Sequence, residues 1–286
     1  MGPLDLVRLT ALMSRSKGRC DIAVALIDGP VVLSHPDLNQ SQIKVIPAEV
    51  QGSCSRLESV ACMHGTFVAG ILVAQRGSAA PAICPECSLI VRPIFPETAK
   101  PNGEMPSASP QELAEAIREV TTAGARVINL SAALLQPTAK GVRALQQALD
   151  FAAARGTIIV AAAGNQASVG SSAITAHPAV IPVIGCDEGG RPTPESNLGA
   201  SIGRRGLAAP GVNISSLGTD GKPRSFGGTS AAAPFVTGAI ALLWSEFPAA
   251  EAARIRFAIT QPGRRPRALV PPLLDAWAAY EFLSRN

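Results

Sequence analysis

The sequence lacks an apolar run long enough to cross a membrane. Its most apolar window runs from Ala231 to Trp244, which is shorter than the ~20 residues that a membrane helix requires. The window also contains Pro234, Thr237 and Gly238. We therefore expect a buried helix here, in a soluble protein with no membrane partner.

A secretory signal is lacking as well. Asp5 and Arg8 interrupt the first apolar run, and no small-residue cleavage site follows it. Leu6, Leu9 and Met13 instead fit a short amphipathic helix. We therefore expect a helical extension over residues 1–20, no propeptide domain and a cytoplasmic location.

The excess of positive over negative charge is small. The 25 basic and 21 acidic residues give a formal net charge of only +4. The clearest basic clusters are Arg204 with Arg205, and Arg264 and Arg265 with Arg267. Neither cluster is by itself a nucleic-acid footprint, so no nucleic-acid partner is expected.

The signatures of nucleotide binding are also absent. No G-x-G-x-x-G follows the first predicted strand, and no Walker-type G-K-S/T occurs. What the chain does have is apolar material, since 47% of its 286 residues are hydrophobic. This composition favours one large core, so we expect a single domain over residues 1–286; it leaves the oligomeric state open.

Short apolar runs rich in β-branched residues alternate with helical patterns. The predicted strands are residues 22–27, 88–93, 126–131, 157–163 and 180–185. Such alternation is typical of an α/β fold with a parallel sheet and helices on both faces.

Two helices of this pattern have clear boundaries. Ser109 is placed to cap a helix that begins at Pro110 and is stopped by Gly124. A second helix is predicted from Gly141 to Arg155, closed by Gly156. Both helices therefore lead directly into the next predicted strand.

Four short motifs place polar side chains at strand ends or helix starts. Asp28 ends a strand in A-L-I-D-G-P, and His64 starts a small-residue helix in M-H-G-T-F-V-A-G. Asn165 follows a strand in A-A-A-G-N, and Ser230 starts the long buried helix in G-G-T-S-A-A-A-P. Each motif alone has a common structural explanation, such as a turn or a helix cap. Turns and helix caps are a much weaker explanation for all four motifs in this order.

These motifs and their order resemble the subtilisin-like serine peptidases, the subtilases, over almost the whole chain. The resemblance implies a three-layer α/β fold with a mostly parallel central sheet. It also implies that Ser230 is the nucleophile, His64 the general base and Asp28 its orienting carboxylate. Asn165 would then donate its side-chain amide to the oxyanion.

The resemblance assigns substrate binding to two segments: Ser131, Ala132 and Ala133 at one edge, and Ala162, Ala163 and Gly164 in a wall of the S1 pocket. The family usually has glycine where Ala133 stands, so the added methyl could narrow the cleft. The opposite edge should come from residues 103–108, which do not match the usual glycine-containing segment.

Calcium is the usual stabilising ion of the family. Asp37 matches one ligand position of its commonest site, but the loop from Ala74 to Ile83 offers no carboxylate or asparagine. Calcium prefers several such oxygen ligands. We therefore expect no metal at this position and no cofactor elsewhere.

The six cysteines allow two arrangements. Cys54, Cys62, Cys84 and Cys87 could form a four-thiolate zinc site, as the C-x-x-C spacing would suit. A helix of about 15 Å should separate Cys62 from Cys84, which favours two local pairs, Cys54 with Cys62 and Cys84 with Cys87, oxidised or not. Cys20 and Cys186 lie beside strands and are expected to be small core residues.

The other histidines receive no catalytic role. His35 lies in the turn S-H-P-D-L and is expected to be structural. His177 precedes Pro178 at a loop end and is expected on the solvated surface.

Three functions stay open on the sequence. The first is an endopeptidase that processes a peptide precursor, as in the cyanobactin-type maturation of ribosomal peptides; A-L-I-D-G-P and the atypical substrate edges resemble that branch. The second is a broad-specificity intracellular subtilisin. The third is a catalytically silent binding module. The expected partner is a peptide or protein substrate.

Overall fold

The structure is a computed structural model that describes residues 2–47, 53–97, 108–131, 141–261 and 268–285. Its strands are β1 Ala23–Asp28, β2 Ile43–Val45, β3 Ser88–Pro93, β4 Val127–Leu130, β5 Ile158–Ala162, β6 Val180–Cys186, β7 Leu207–Pro210, β8 Ile214–Ser216 and β9 Arg224–Phe226. Its α-helices are α1 Pro3–Leu6, α2 Leu9–Arg15, α3 Val60–Val73, α4 Pro110–Thr122, α5 Val142–Ala154, α6 Ala173–Ala176, α7 Ala200–Arg205, α8 Thr229–Glu246, α9 Ala252–Thr260 and α10 Ala276–Ser284.

Seven strands form one sheet in the order β2-β3-β1-β4-β5-β6-β7, with every neighbouring pair parallel. The five predicted strands are all present, with ends shifted by at most one residue. The sequence pattern missed β2, β7 and the antiparallel pair β8–β9, which are only three or four residues long. Such short strands carry too few residues for a periodic signal.

Helices cover both faces of the sheet, as the predicted three-layer α/β class requires. On one face α2, α3, α8, α9 and α10 enclose the larger apolar core. On the other face α4 and α5 pack together over the second core. Every strand from β4 to β7 is buried along its whole length, which explains its continuous apolar run.

The predicted helix boundaries are confirmed in their main features. The Ser109 hydroxyl accepts a hydrogen bond from the backbone N–H of Glu112 and caps α4. Gly124 and Gly156 have φ of +94° and +75° just after α4 and α5, a conformation that favours glycine. The apolar window from Ala231 to Trp244 lies within α8, which is buried almost throughout and contains Pro234. No helix within the described ranges is both long and apolar enough to cross a bilayer.

The amino-terminal segment differs from the single helix predicted for it. It forms α1 and α2, which are separated at Arg8, a residue with φ of 53°. Val7, Leu9 and Leu12 are completely buried, and Arg8 forms an ion pair with Asp275 ahead of α10. This segment is therefore packed into the larger core.

The strand order reverses between β1 and β4. From β1 the chain first builds β2 and β3 on one side, and then β4 to β7 on the other. In open parallel sheets, ligands bind outside the carboxyl ends of the strands at such a switch point. Asp28 ends β1 and Ser131 follows β4 directly, so two predicted site residues flank it.

Candidate active site

Asp28 and His64 form a short hydrogen bond at the carboxyl end of β1. The Nδ1 of His64 lies 2.7 Å from Oδ1 of Asp28, which also accepts the backbone N–H of Gly29 at 2.6 Å. Asp28 is completely buried, whereas the His64 side chain keeps 18% of its surface exposed. The carboxylate therefore fixes one ring nitrogen and leaves Nε2 for a reaction partner.

Two glycines allow α3 to approach β1 closely enough for this contact. A Cβ on Gly29 would lie 2.0 Å from the carbonyl oxygen of Ala61, and one on Gly65 would lie 2.4 Å from that of Gly29. The helix begins at Val60 rather than at His64, so the predicted start was four residues too late. His64 thus projects from the second turn of α3.

The environment of His64 has opposing effects on its pKa. Burial lowers the pKa because it penalises the imidazolium, while the charge of Asp28 and the hydrogen bond to it raise the pKa. The net result is a raised pKa. The Asp28 carboxylate therefore stabilises the positive charge that His64 acquires when it accepts a proton.

Asn165 is oriented by the start of α8. Its Oδ1 accepts the backbone N–H of Thr229 at 2.9 Å, which leaves its Nδ2 free to donate elsewhere. The Thr229 hydroxyl in turn accepts the N–H of Gly164 at 3.1 Å. Gly228 packs against the amide, where a Cβ would lie 2.8 Å from Nδ2. The two segments therefore hold each other in place.

Ser230 is the second residue of α8. Its Oγ donates to the carbonyl oxygen of Ser131 at 3.4 Å, and no hydrogen bond within the described part of the chain joins it to His64. Serine–histidine bonds are often long before substrate binds. Pro234 has no N–H to donate to the Ser230 carbonyl, so the first turn of α8 lacks one helical bond.

A buried network supports the Ser131 edge. Asn129 on β4 donates to the Ser131 hydroxyl at 3.0 Å, and it accepts the hydroxyl of Thr237 on α8 at 2.9 Å. Ser131 is 7% exposed. Ala132 and Ala133, predicted on the same edge, lie outside the described residues, as do residues 103–107 of the opposite edge.

The predicted pocket wall follows β5. Ala162, Ala163 and Gly164 are buried, and Gly164 has φ of +103°. Asn197 donates to the carbonyl oxygen of Ala163 at 3.1 Å and accepts the N–H of Gln166 at 3.0 Å. This side chain therefore fixes the wall on both sides of Asn165.

Sequence reasoning missed four supporting residues: Thr229, Asn129, Thr237 and Asn197. Asn129 carried a usable signal, because it is the one polar side chain inside the apolar run V-I-N-L. A buried amide requires hydrogen-bond partners. Thr229 and Asn197 carried no such signal, since their contacts lie 65 and 34 residues away in the chain.

An arginine connects the loop after α3 to the amino-terminal segment. Arg76 lies in the ligand-poor loop, and its guanidinium donates to the carbonyl oxygens of Met13 at 2.6 Å, Ser16 at 2.6 Å and Ile83 at 3.2 Å. This guanidinium therefore engages carbonyl oxygens of both segments. The Asp37 side chain is 41% exposed and 4.0 Å from Nδ1 of His35.

The cysteines form local pairs. Cys54 and Cys62 form a disulfide, whereas Cys84 and Cys87 are buried free thiols, and the backbone N–H of Cys87 donates to the carbonyl oxygen of Cys84 at 3.0 Å. Cys186 is buried, and burial raises its pKa to about 12. Cys20 is exposed, so its prediction as a core residue was wrong; it lies in the turn before β1 rather than beside the sheet.

The two other histidines have structural contacts. His35 is buried in the predicted turn, where its Nδ1 accepts the N–H of Asp37 at 3.1 Å. His177 was predicted to be solvated, but it is only 8% exposed. Its ring accepts the N–H of Ala179 at 3.3 Å and contacts Asp150 at 3.1 Å, so both nitrogens are occupied within the protein.

A family profile and two individual relatives indicate the same protein family. The profile of the subtilase family, Peptidase_S8, matches residues 20–263. Subtilisin DY of Bacillus licheniformis is 30% identical over 258 residues, which span 88% of this chain and 87% of the relative. Subtilisin E of Bacillus subtilis is 31% identical over 265 residues, which span 88% of this chain but 63% of the relative.

Solved structures add two further relatives. A mutant of the protease domain of PatA superposes with a TM-score of 0.84 at 29% identity, covering 94% of this chain and 97% of the other. The prenylagaramide maturation protease PagA superposes with a TM-score of 0.82 at 26% identity, covering 96% and 98%.

Proposed function

Because this chain belongs to the subtilase family and is a serine endopeptidase, we propose that Asp28, His64 and Ser230 are its catalytic triad and that its substrate is a peptide precursor. The hydrogen bond between His64 and Asp28 supports the first part. The likeness to the maturation proteases PatA and PagA supports the second.

In the proposed acylation step, His64 Nε2 accepts the proton of Ser230 while Oγ attacks the scissile carbonyl carbon. The bond to Asp28 keeps Nδ1 protonated, so that Nε2 is the basic nitrogen. His64 then gives the proton to the leaving amine. The product of this step is an ester between Ser230 and the acyl part of the substrate.

The oxyanion of each tetrahedral intermediate would lie between Nδ2 of Asn165 and the backbone N–H of Ser230. The Ser230 N–H points out of the first turn of α8, where the helix dipole favours negative charge. In the second step a water molecule, activated by His64, hydrolyses the ester.

A broad-specificity protease is the second candidate, favoured by the 30% and 31% identity to subtilisins DY and E. Casein and a peptide-precursor library separate the two functions. Single-site cleavage of one precursor, with negligible casein turnover, is expected from a processing enzyme. Rapid cleavage of casein at many unrelated sites would contradict that role.

A silent binding module is tested separately. A fluorophosphonate probe should label the wild-type protein but not Ser230→Ala, because only an activated serine reacts. Equal labelling of both proteins, or of neither, would contradict the proposed triad.

A further inference from the structure

A cleft of about 330 Å³ lies between α7 and α9, away from the proposed triad. Its charged lining consists of Arg204, Arg205 and Arg256, and Phe257 and Thr260 line the remainder with Ala253. The sequence already showed Arg204 and Arg205 as a basic cluster without an assigned role.

The three guanidinium groups form no ion pair with any described residue. Arg205 donates through Nη2 to the carbonyl oxygens of Thr175 at 3.1 Å and Ala176 at 2.9 Å, while its buried Nε has no partner there. Arg256 donates to the carbonyl oxygen of Pro178. These acceptors are neutral, and no described carboxylate lies within ion-pair distance of the three guanidinium groups.

The arginines also disfavour one another's charged forms. Burial lowers the pKa of Arg256, and the charge of Arg205 lowers it further. Burial and the charge of Arg204 act in the same way on the pKa of Arg205. A multivalent anion would remove this repulsion and gain charge-assisted hydrogen bonds.

The cleft lies at the amino ends of the strands, whereas the proposed triad lies at their carboxyl ends. Arg205 precedes β7, and Pro178 precedes β6, whereas Asp28 and Asn165 follow the carboxyl ends of β1 and β5. A seven-residue strand such as β6 is about 23 Å long. A ligand in the cleft therefore does not touch the reacting atoms.

An exposed aromatic pair adjoins the arginines. Phe257 is 49% exposed, and its ring lies 5.5 Å from that of Phe282, which is 36% exposed. A ligand that contacts both the arginines and the aromatic side chains carries several carboxylates and an apolar side chain. A bare inorganic anion would make no apolar contact with the exposed side chain of Phe257.

We propose that this arginine cleft binds an acidic, partly apolar segment of the precursor substrate, so that the enzyme holds its substrate at two separate places. The identification of the occupant as substrate depends on the proposed processing function. Binding of an acidic peptide to the arginines depends only on charge complementarity, and this binding can be measured without catalysis.

Binding is measured with the Ser230→Ala protein and a fluorescein-labelled peptide that is rich in glutamate and contains phenylalanine. The control peptide has glutamine in place of every glutamate. We expect anisotropy to report binding of the acidic peptide only, and added salt to weaken it. Equal binding of the two peptides, or binding of neither, would overturn the proposal.

Arg204 is the residue to change, because it is exposed and its loss removes no described structural contact. Arg204→Glu should weaken acidic-peptide binding about tenfold or more, since it replaces an attraction by a repulsion. Arg143→Glu, at an exposed site on α5 outside the cleft, makes the same charge change and should leave binding unaltered. Equal losses in both variants, or in neither, would refute the site.

Inorganic phosphate distinguishes a peptide site from a simple anion site. Phosphate should displace the acidic peptide only at much higher concentrations than unlabelled peptide does. Displacement by both at the same concentration would mean a site for small anions, and the proposal would be wrong.

Cleavage kinetics separate this proposal from the proposed function. With a precursor that carries an acidic segment, Arg204→Glu should raise KM and leave kcat unchanged. Absence of precursor cleavage by the wild type would contradict the processing role alone. Peptide binding that fails while cleavage proceeds normally would contradict the arginine cleft alone.

Discussion

At the scale of single residues, the orientation of a side chain matters as much as its identity. Asn165 has two hydrogen-bonding ends, and the Thr229 N–H engages its oxygen. The nitrogen thereby remains available for the proposed oxyanion. A contact between the loop after β5 and the start of α8, 64 residues apart in the chain, thus determines which end of this amide stays available.

Asn165→Ala and Asn165→Asp test this orientation together. Both should lower kcat by about 10²–10³-fold with little change in KM, because an oxyanion donor acts mainly in the transition state. The aspartate keeps the acceptor for Thr229, loses the donor and adds a negative charge beside the proposed oxyanion. Near-normal kcat for Asn165→Asp, at an unchanged melting temperature, would show that the contact with Thr229 is what matters.

The pH dependence follows from the raised pKa of His64. Burial lowers this pKa, but the charge and hydrogen bond of Asp28 outweigh burial. Since His64 accepts a proton only when neutral, kcat/KM should fall as pH decreases through a value above the ordinary ~6.5.

Asp28→Asn removes the charge that raises this pKa and leaves the effect of burial. The acid limb of kcat/KM should therefore move to lower pH, while the rate itself falls about 10⁴-fold. An acid limb that stays at the same pH in Asp28→Asn would contradict the assigned cause.

At the scale of elements, Arg76 joins the amino-terminal segment to the loop after α3. Its guanidinium reaches the carbonyl oxygens of Met13, Ser16 and Ile83. A planar fork with several N–H donors can satisfy such a set, whereas an ammonium group has different geometry.

Arg76→Met should reduce the free energy of unfolding by about 1–3 kcal/mol, because partly buried carbonyls lose their donors. Arg76→Lys should recover part of this loss. EGTA should leave the wild-type melting temperature unchanged. A marked fall with EGTA, restored by calcium, would show that an ion contributes after all.

The Cys54–Cys62 disulfide fixes the segment that leads into α3 and His64. Its sequence separation of eight residues corresponds to a stabilisation of about 2–3 kcal/mol. Dithiothreitol should lower the melting temperature of the wild type but not of the Cys54→Ser, Cys62→Ser variant. A similar fall in that variant would assign the effect to other thiols.

At the scale of the whole molecule, α1 and α2 belong to the larger core although they precede the first strand. Leu12 is completely buried there, among side chains of α8 and α10. The segment therefore contributes to stability rather than extending from the surface.

Leu12→Ala should reduce the free energy of unfolding by about 2–5 kcal/mol, through lost burial and a residual cavity. Leu57→Ala removes the same atoms at a position that is 46% exposed and should cost about 0.5 kcal/mol or less. Denaturant unfolding measures both. Equal costs would mean that the amino-terminal segment is not packed as described.

The sequence by itself determined the parallel α/β architecture, because buried strands need continuous apolar runs and their helices need one apolar face. It also determined the order of the four candidate catalytic residues, since each lies in a short motif at a strand end or a helix start. These signals are local, and local signals survive in a linear pattern.

The tertiary structure alone decided which distant groups satisfy one another. Thr229 orients Asn165, Arg76 engages carbonyls from two segments, and His177 finds partners that remove it from solvent. The arginine cleft likewise forms only when α7 and α9 come together. Hydrogen bonding and charge depend on distance in space, and residues far apart in sequence carry no local trace of becoming neighbours.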